Sequence, residues 1–111
     1  MATINATTIA GEAQLTTWSG LATGDDGAPA GSLGSGDRTF GAFGTFGGAT
    51  VTLQGSLDGE NNWRPLTDPL GVVIALTAPG LRAVLESTQF VRPVVTGGAA
   101  NLTAQISIRR S

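Results

Sequence analysis

The chain has 111 residues, 41% of them apolar and only 13% charged, with a formal net charge of −2. That length gives one domain around one core, whose polar surface must be built from Thr, Ser, Asn, Gln and Gly more than from charge. Cysteine, histidine, lysine and tyrosine are all absent, which excludes disulfides, thiolate or imidazole metal sites, Schiff-base chemistry and a phenolic acid.

The opening "MATINATTIA" has neither a basic start nor a continuous apolar run, so it does not read as a signal peptide. No stretch approaches the roughly 20 apolar residues that span a bilayer, and the chain is expected to stay in a cytoplasm. Residues 1–37 hold Glu12, Asp25, Asp26 and Asp37 without any arginine, and from Gly20 they run "GLATGDDGAPAGSLGSGD". Such a composition favours a loop or an extended arm over a core. Residues 38–111 carry all six arginines against four acids, net +2 against −4 for the leading part. Opposite signs predict that the arm lies along a body, its own or a neighbour's, with a solvated acidic loop as the plainer reading. The division expected is therefore 1–37 as arm and 38–111 as body.

Within the arm, Leu15, Trp18 and Leu21 make an apolar cluster in "QLTTWSGL". A tryptophan in a polar, glycine-rich segment needs a pocket to fill. One reading makes the cluster an anchor on a neighbouring chain, with Asp25, Asp26 and Asp37 meeting arginines. The other makes it an extra first strand of the same sandwich.

The body reads as strands. "ATVTLQGSL" alternates Val51, Leu53 and Leu57 with Thr50, Thr52, Gln54 and Ser56, a period of two. "VVIALT" puts Val72, Ile74 and Leu76 on one face, and "NLTAQISIRR" does the same with Leu102, Ala104, Ile106 and Ile108. "FVRPVVTGG" is β-branched, and Pro93 within it argues for an edge strand or a bulge. "LRAVLES" suits a strand or a helical turn. These segments, with their Gly and Pro punctuation, predict an all-β fold, a β-sandwich or jelly-roll-like barrel of about 6–8 short strands with an extended N-terminal arm.

Three stretches invite chemistry. "QGSLDGENNWRPL" gathers Asp58, Glu60 and two amides before Trp63. Asp58-Gly59 sits where the alternation stops, and Asp-Gly is a strong hairpin signal because glycine accepts positive φ. A calcium loop needs more carboxylates at fixed spacings, and acids within one turn cannot flank a sugar from both sides. The stretch reads as a turn, with Trp63 as the tryptophan that closes the core, or else as a sugar-stacking platform. "GAFGTFGGAT" offers four glycines but no lysine and no following helix, so it is no phosphate cradle. Its glycines relieve crowding beside Phe40, Phe43 and Phe46 or mark bulges. Ser19 has no histidine anywhere to activate it. No catalytic residue, cofactor or metal is expected, and six scattered arginines give no footprint for nucleic acid.

"DRTFGAFGTFGGATVTLQGSLDGENNW", followed by "PLTDPLG" and "FVRPVVTGG" and preceded by "TWSGLATGDDGAPA", resembles small β-rich virion proteins of tailed bacteriophages over roughly residues 14–110. Two departures stand out: those proteins pass from Asp-Gly to Trp with one residue fewer, and often have Tyr where Phe90 stands. The resemblance implies a capsid decoration, or cement, protein on the virion surface, with the major capsid protein as partner. Three-fold positions of a shell suit a homotrimer, since closed symmetry lets three equivalent contacts act together. The competing classes are a neck component and a tail or fibre module that binds host glycan.

Overall fold

The computed structural model describes residues 3–4, 6–9, 13–22, 24–28, 37–57, 62–85, 88, 90–98 and 100–109. Two sheets face each other. The first runs β1 (Thr3–Ile4), β4 (Asp26–Gly27), β10 (Phe90–Thr96), β6 (Thr50–Ser56), β7 (Arg64–Pro65), with β8 (Ala75–Leu76) also on β6. The second runs β2 (Ala6–Ile9), β3 (Ala13–Ala22), β11 (Asn101–Arg109), β5 (Asp37–Thr45), β9 (Gly80–Val84). Every pairing is antiparallel except β1 with β4. The fold is a β-sandwich. Eleven strands are present among the described residues against the 6–8 expected, because β1, β4, β7 and β8 are two-residue pairings that no periodicity can signal.

The alternation of β6 and β11 does what a period of two requires, turning every second side chain inward. Val51 and Leu53 meet Val91 and Val95 of the same sheet and Phe40, Ala42, Leu102, Ala104 and Ile106 of the other in one core. Leu57 breaks the pattern: it follows the last residue of β6 and is 81% exposed. Val72 likewise lies outside β8 and is exposed, whereas Ile74 and Leu76 are buried. "LRAVLES" resolves as β9 for Leu81–Val84, so its helical reading fails.

The expected N-terminal arm is corrected most. Residues 13–22 form the ten-residue strand β3, paired on both sides, with β2 and with β11. Trp18 and Leu21 are wholly buried in the core. They lie three residues apart, which on a regular strand would send them to opposite faces. The register against β11 slips between Leu102 and Ala104, so that Leu102 faces Leu21 while Ala104 faces Trp18. The extra residue is a β-bulge, and Gly20 within it has φ +73°, where glycine is strongly preferred. The bulge resets the parity and both side chains turn inward. Trp18 therefore completes its own sandwich, and the division at residue 37 does not separate an arm from a body.

Pro93 was expected at an edge or a bulge, yet β10 lies between β4 and β6. Val95 donates its N–H to Asp25 on the β4 side at 2.9 Å, so by alternation the missing N–H of Pro93 faces that side too. β4 is only two residues long, and Gly27 leaves the space that the proline ring fills. A Cβ on Gly27 would collide with Pro93 and would sit 2.7 Å from Trp18 Cδ1. The proline is tolerated because the neighbouring ladder is nearly absent at that point.

Candidate interaction surface

Trp18 Nε1 donates to Ala28 O at 2.9 Å, which satisfies the indole and ties the chain after β4 to β3. Leu15 is half-buried on the outward face of the second sheet. Asp25 is buried and accepts from Ala22 N at 2.8 Å, closing the turn between β3 and β4. Asp26 does meet an arginine, as the charge partition predicted, but inside its own chain: Arg92 Nη1 lies 3.3 Å from its carboxylate. Asp37 belongs to β5 by its backbone, and its side chain lies outside the described residues. So do Asp58 and Gly59.

Trp63 is the second correction. It is half-exposed and stands over Arg92, with the guanidinium carbon 4.3 Å from the ring centroid. Arg92 alternates with the inward Val91 and Pro93 and so points outward from β10. There it donates through Nε to Gln54 Oε1 at 3.0 Å, beside its ion pair with Asp26. Ring, guanidinium, amide and carboxylate together form a small rigid cluster on the outer face of the first sheet. Part-exposed pairs of this kind contribute on the order of 0.5–1 kcal/mol each. The core tryptophan is Trp18, and Trp63 clasps the outside.

A second cluster joins the two sheets at their edge. After β7 the chain leaves the first sheet, and the loop 67–73 passes beside β9 of the second. Leu85 N donates to Thr67 O at 2.9 Å, and Thr67 bridges Val73. Asp68 organises this loop: its Oδ1 accepts from Leu70 N at 2.9 Å and Val72 N at 3.0 Å, and its Oδ2 accepts from Arg82 Nη1 at 3.0 Å. The Val72 N–H above all holds the Asp68 carboxyl below the usual carboxylate range; burial pushes it back up in part, while Leu70 N–H and Arg82 add to the lowering. Of "PLTDPLG", Pro69 reads as turn punctuation and the stretch otherwise serves only the resemblance. Its aspartate is an acceptor for side chain and backbone at once, which no local pattern announces.

The loop so held is apolar at its tip. Leu70 is 88% exposed, and Val72 and Val73 are exposed beside it. On β9, Leu81 and Leu85 are also exposed. Leu81 lies flat across the second sheet because its partner Gly41 has no side chain: a Cβ there would sit 2.5 Å from Leu81 Cδ2 and 3.3 Å from Phe43 Cζ. The relief of crowding expected of the Phe/Gly stretch is real at this position.

Arg38 is buried on the inner face of β5, donates to Thr88 O at 2.7 Å, and has its pKa lowered by burial. Its Nε has no hydrogen-bond partner among the described residues. A cleft of about 490 Å³ opens beside Gly55, Leu57, Arg64, Leu66 and Thr88. Among the described residues no group of three or more His, Cys, Asp or Glu could hold a metal ion, and no helix is long and apolar enough to cross a membrane. What these residues make is a set of exposed apolar side chains at one edge of an all-β two-sheet sandwich. No protein-family model, curated protein or solved structure matches this chain.

Proposed function

We propose that this chain is a head decoration, or cement, protein of a tailed bacteriophage. It docks on the outer surface of the shell and staples neighbouring subunits of the major capsid protein. The observation that carries the reading is the resemblance over roughly residues 14–110 to small β-rich virion proteins. The sandwich is compatible with such a role. Its outer faces carry Thr, Gln and Ser beside exposed Phe43, Leu81 and Leu85, and two acids are neutralised within the chain, Asp26 by Arg92 and Asp68 by Arg82. A lightly charged, rigid body of that kind adheres through fit and multiplicity, and three copies in a trimer raise one another's effective concentration on a repeating lattice. Attachment then belongs to the exposed faces of the sandwich and not to Trp18 or Leu21, which are spent on its core.

A tail or fibre module that stacks a host glycan on Trp63 is the second reading, favoured by the half-exposed ring. Arg92 covers one face of that indole, leaving a single face for a sugar. The test is co-sedimentation of the purified protein with undecorated phage shells. Saturable binding in a fixed ratio to capsid subunits supports decoration; no binding at about 10 μM protein, a concentration that reports any useful affinity, refutes it.

A further inference from the structure

The edge of the second sheet gathers exposed apolar side chains that the sequence did not signal. β9 has β5 on one side and no strand on the other among the described residues. Alongside it lies the loop 67–73, fixed by the three bonds to Asp68, by Asp68 N to Val72 O at 2.8 Å and by Gly71 N to Asp68 O at 2.9 Å. A loop tied this tightly presents its tip in one conformation, and the tip is Leu70, 88% exposed. Rigid apolar knobs bind with little ordering cost, the property that distinguishes an interface anchor from a loose surface leucine.

Other exposed apolar side chains lie in the loop and along the same edge of the second sheet. Val72 (52%) and Val73 (46%) follow Leu70 in the loop, Leu85 (56%) donates its N–H to Thr67 at the loop's start, and Leu81 (65%) meets Phe43 (39%) over Gly41. Together they expose on the order of 500 Å² of apolar surface, the size at which a patch on a small protein marks an interaction site.

We propose that this edge is the contact between copies of the chain. Two observations favour a second copy as the occupant. The two charged side chains seen in the patch, Asp68 and Arg82, are opposite and already paired at 3.0 Å, so two such patches meet without like-charge repulsion. Two equal faces of this size would bury on the order of 1,000 Å², the threshold for a specific interface, which a polar partner face would not reach through apolar contact. Two equal faces that meet make an isologous contact which pairs copies, distinct from the head-to-tail contacts that close a trimer, and this self-association does not depend on capsid binding.

Sedimentation velocity of the full chain across a concentration series tests it. The wild-type chain is expected to sediment as an oligomer at micromolar concentration. Leu70→Ser and Leu81→Ser, at positions too exposed to matter for the core, should each weaken association about tenfold or more with an unchanged circular-dichroism spectrum. Leu57→Ser, equally exposed but outside the patch, should associate like wild type. A wild-type chain that stays monomeric overturns the proposal, as do Leu70→Ser and Leu81→Ser variants that associate normally. A monomer that still binds undecorated shells would overturn the self-contact alone and leave the decoration role standing.

Discussion

Replacing Trp18 by alanine removes the largest fully buried side chain of the core. An indole buries about 150–250 Å², so at about 25 cal/mol per Å² the lost transfer energy is about 4–6 kcal/mol. Relaxation around the gap brings observed Trp-to-Ala losses to about 3–5 kcal/mol. The hydrogen bond to Ala28 O goes as well, but Ala28 is half-exposed and water can replace the donor at small cost. A domain of this length has about 5–15 kcal/mol in total, so Trp18→Ala removes between a fifth of its stability and all of it. At about 4–8 °C per kcal/mol the midpoint falls by at least about 12 °C. Urea unfolding followed by circular dichroism measures the loss, and Trp63 remains as the single fluorophore to report it independently. A loss below about 1 kcal/mol, the scale of a surface change, would mean that Trp18 is not in the core and that residues 13–22 are an appendage after all.

The other expectations are of smaller size. Trp63→Ala should cost about 1 kcal/mol or less, because Arg92 keeps Gln54 and Asp26 when the ring is gone; a loss like that of Trp18 in the same urea assay would contradict the outside placement. Gly27→Val should destabilise by more than about 2 kcal/mol, since its Cβ would strike both Pro93 and Trp18; an unchanged thermal midpoint would show that β4 does not pack as described. Asp68 has a lowered pKa in the folded state, so its contribution is complete above the unfolded value of about 3.9 and is lost as pH falls through the folded value. The gap in midpoint between wild type and Asp68→Asn should therefore be open near about pH 6 and close in strong acid. A gap that persists at low pH would show that the carboxylate charge is not what holds the loop.

The parts of the fold legible beforehand were those where one strand keeps one period. Val51 and Leu53, and Leu102, Ala104 and Ile106, declare their strands because nothing interrupts the alternation. β3 was obscured by its own bulge: Trp18 and Leu21 fall out of phase on a period of two, and Gly20, which repairs the phase, reads locally as a loop residue. The two tryptophans exchanged roles for a related reason. Trp63 follows a turn into a strand and looks like a core residue, while Trp18 sits among Thr, Ser and Gly and looks stranded; burial is decided by which sheet covers a position, and that information is non-local. Pro93 misled because its constraint falls on one side of the strand only, and the short β4 lies on that side. The Asp26–Arg92 pair was foreshadowed by the charge imbalance between the two parts of the chain, whereas Asp68 and the apolar edge around Leu70 needed the folded loop to appear.

The functional claim is met most directly by electron cryo-microscopy of phage heads assembled with and without this chain. The account predicts density for a two-sheet body on the outer face of the head, bridging adjacent major capsid protein subunits, with Trp18 inside that body and Leu70 at a contact between copies. Density of this shape in the tail or neck, or a head surface without it, would contradict the account.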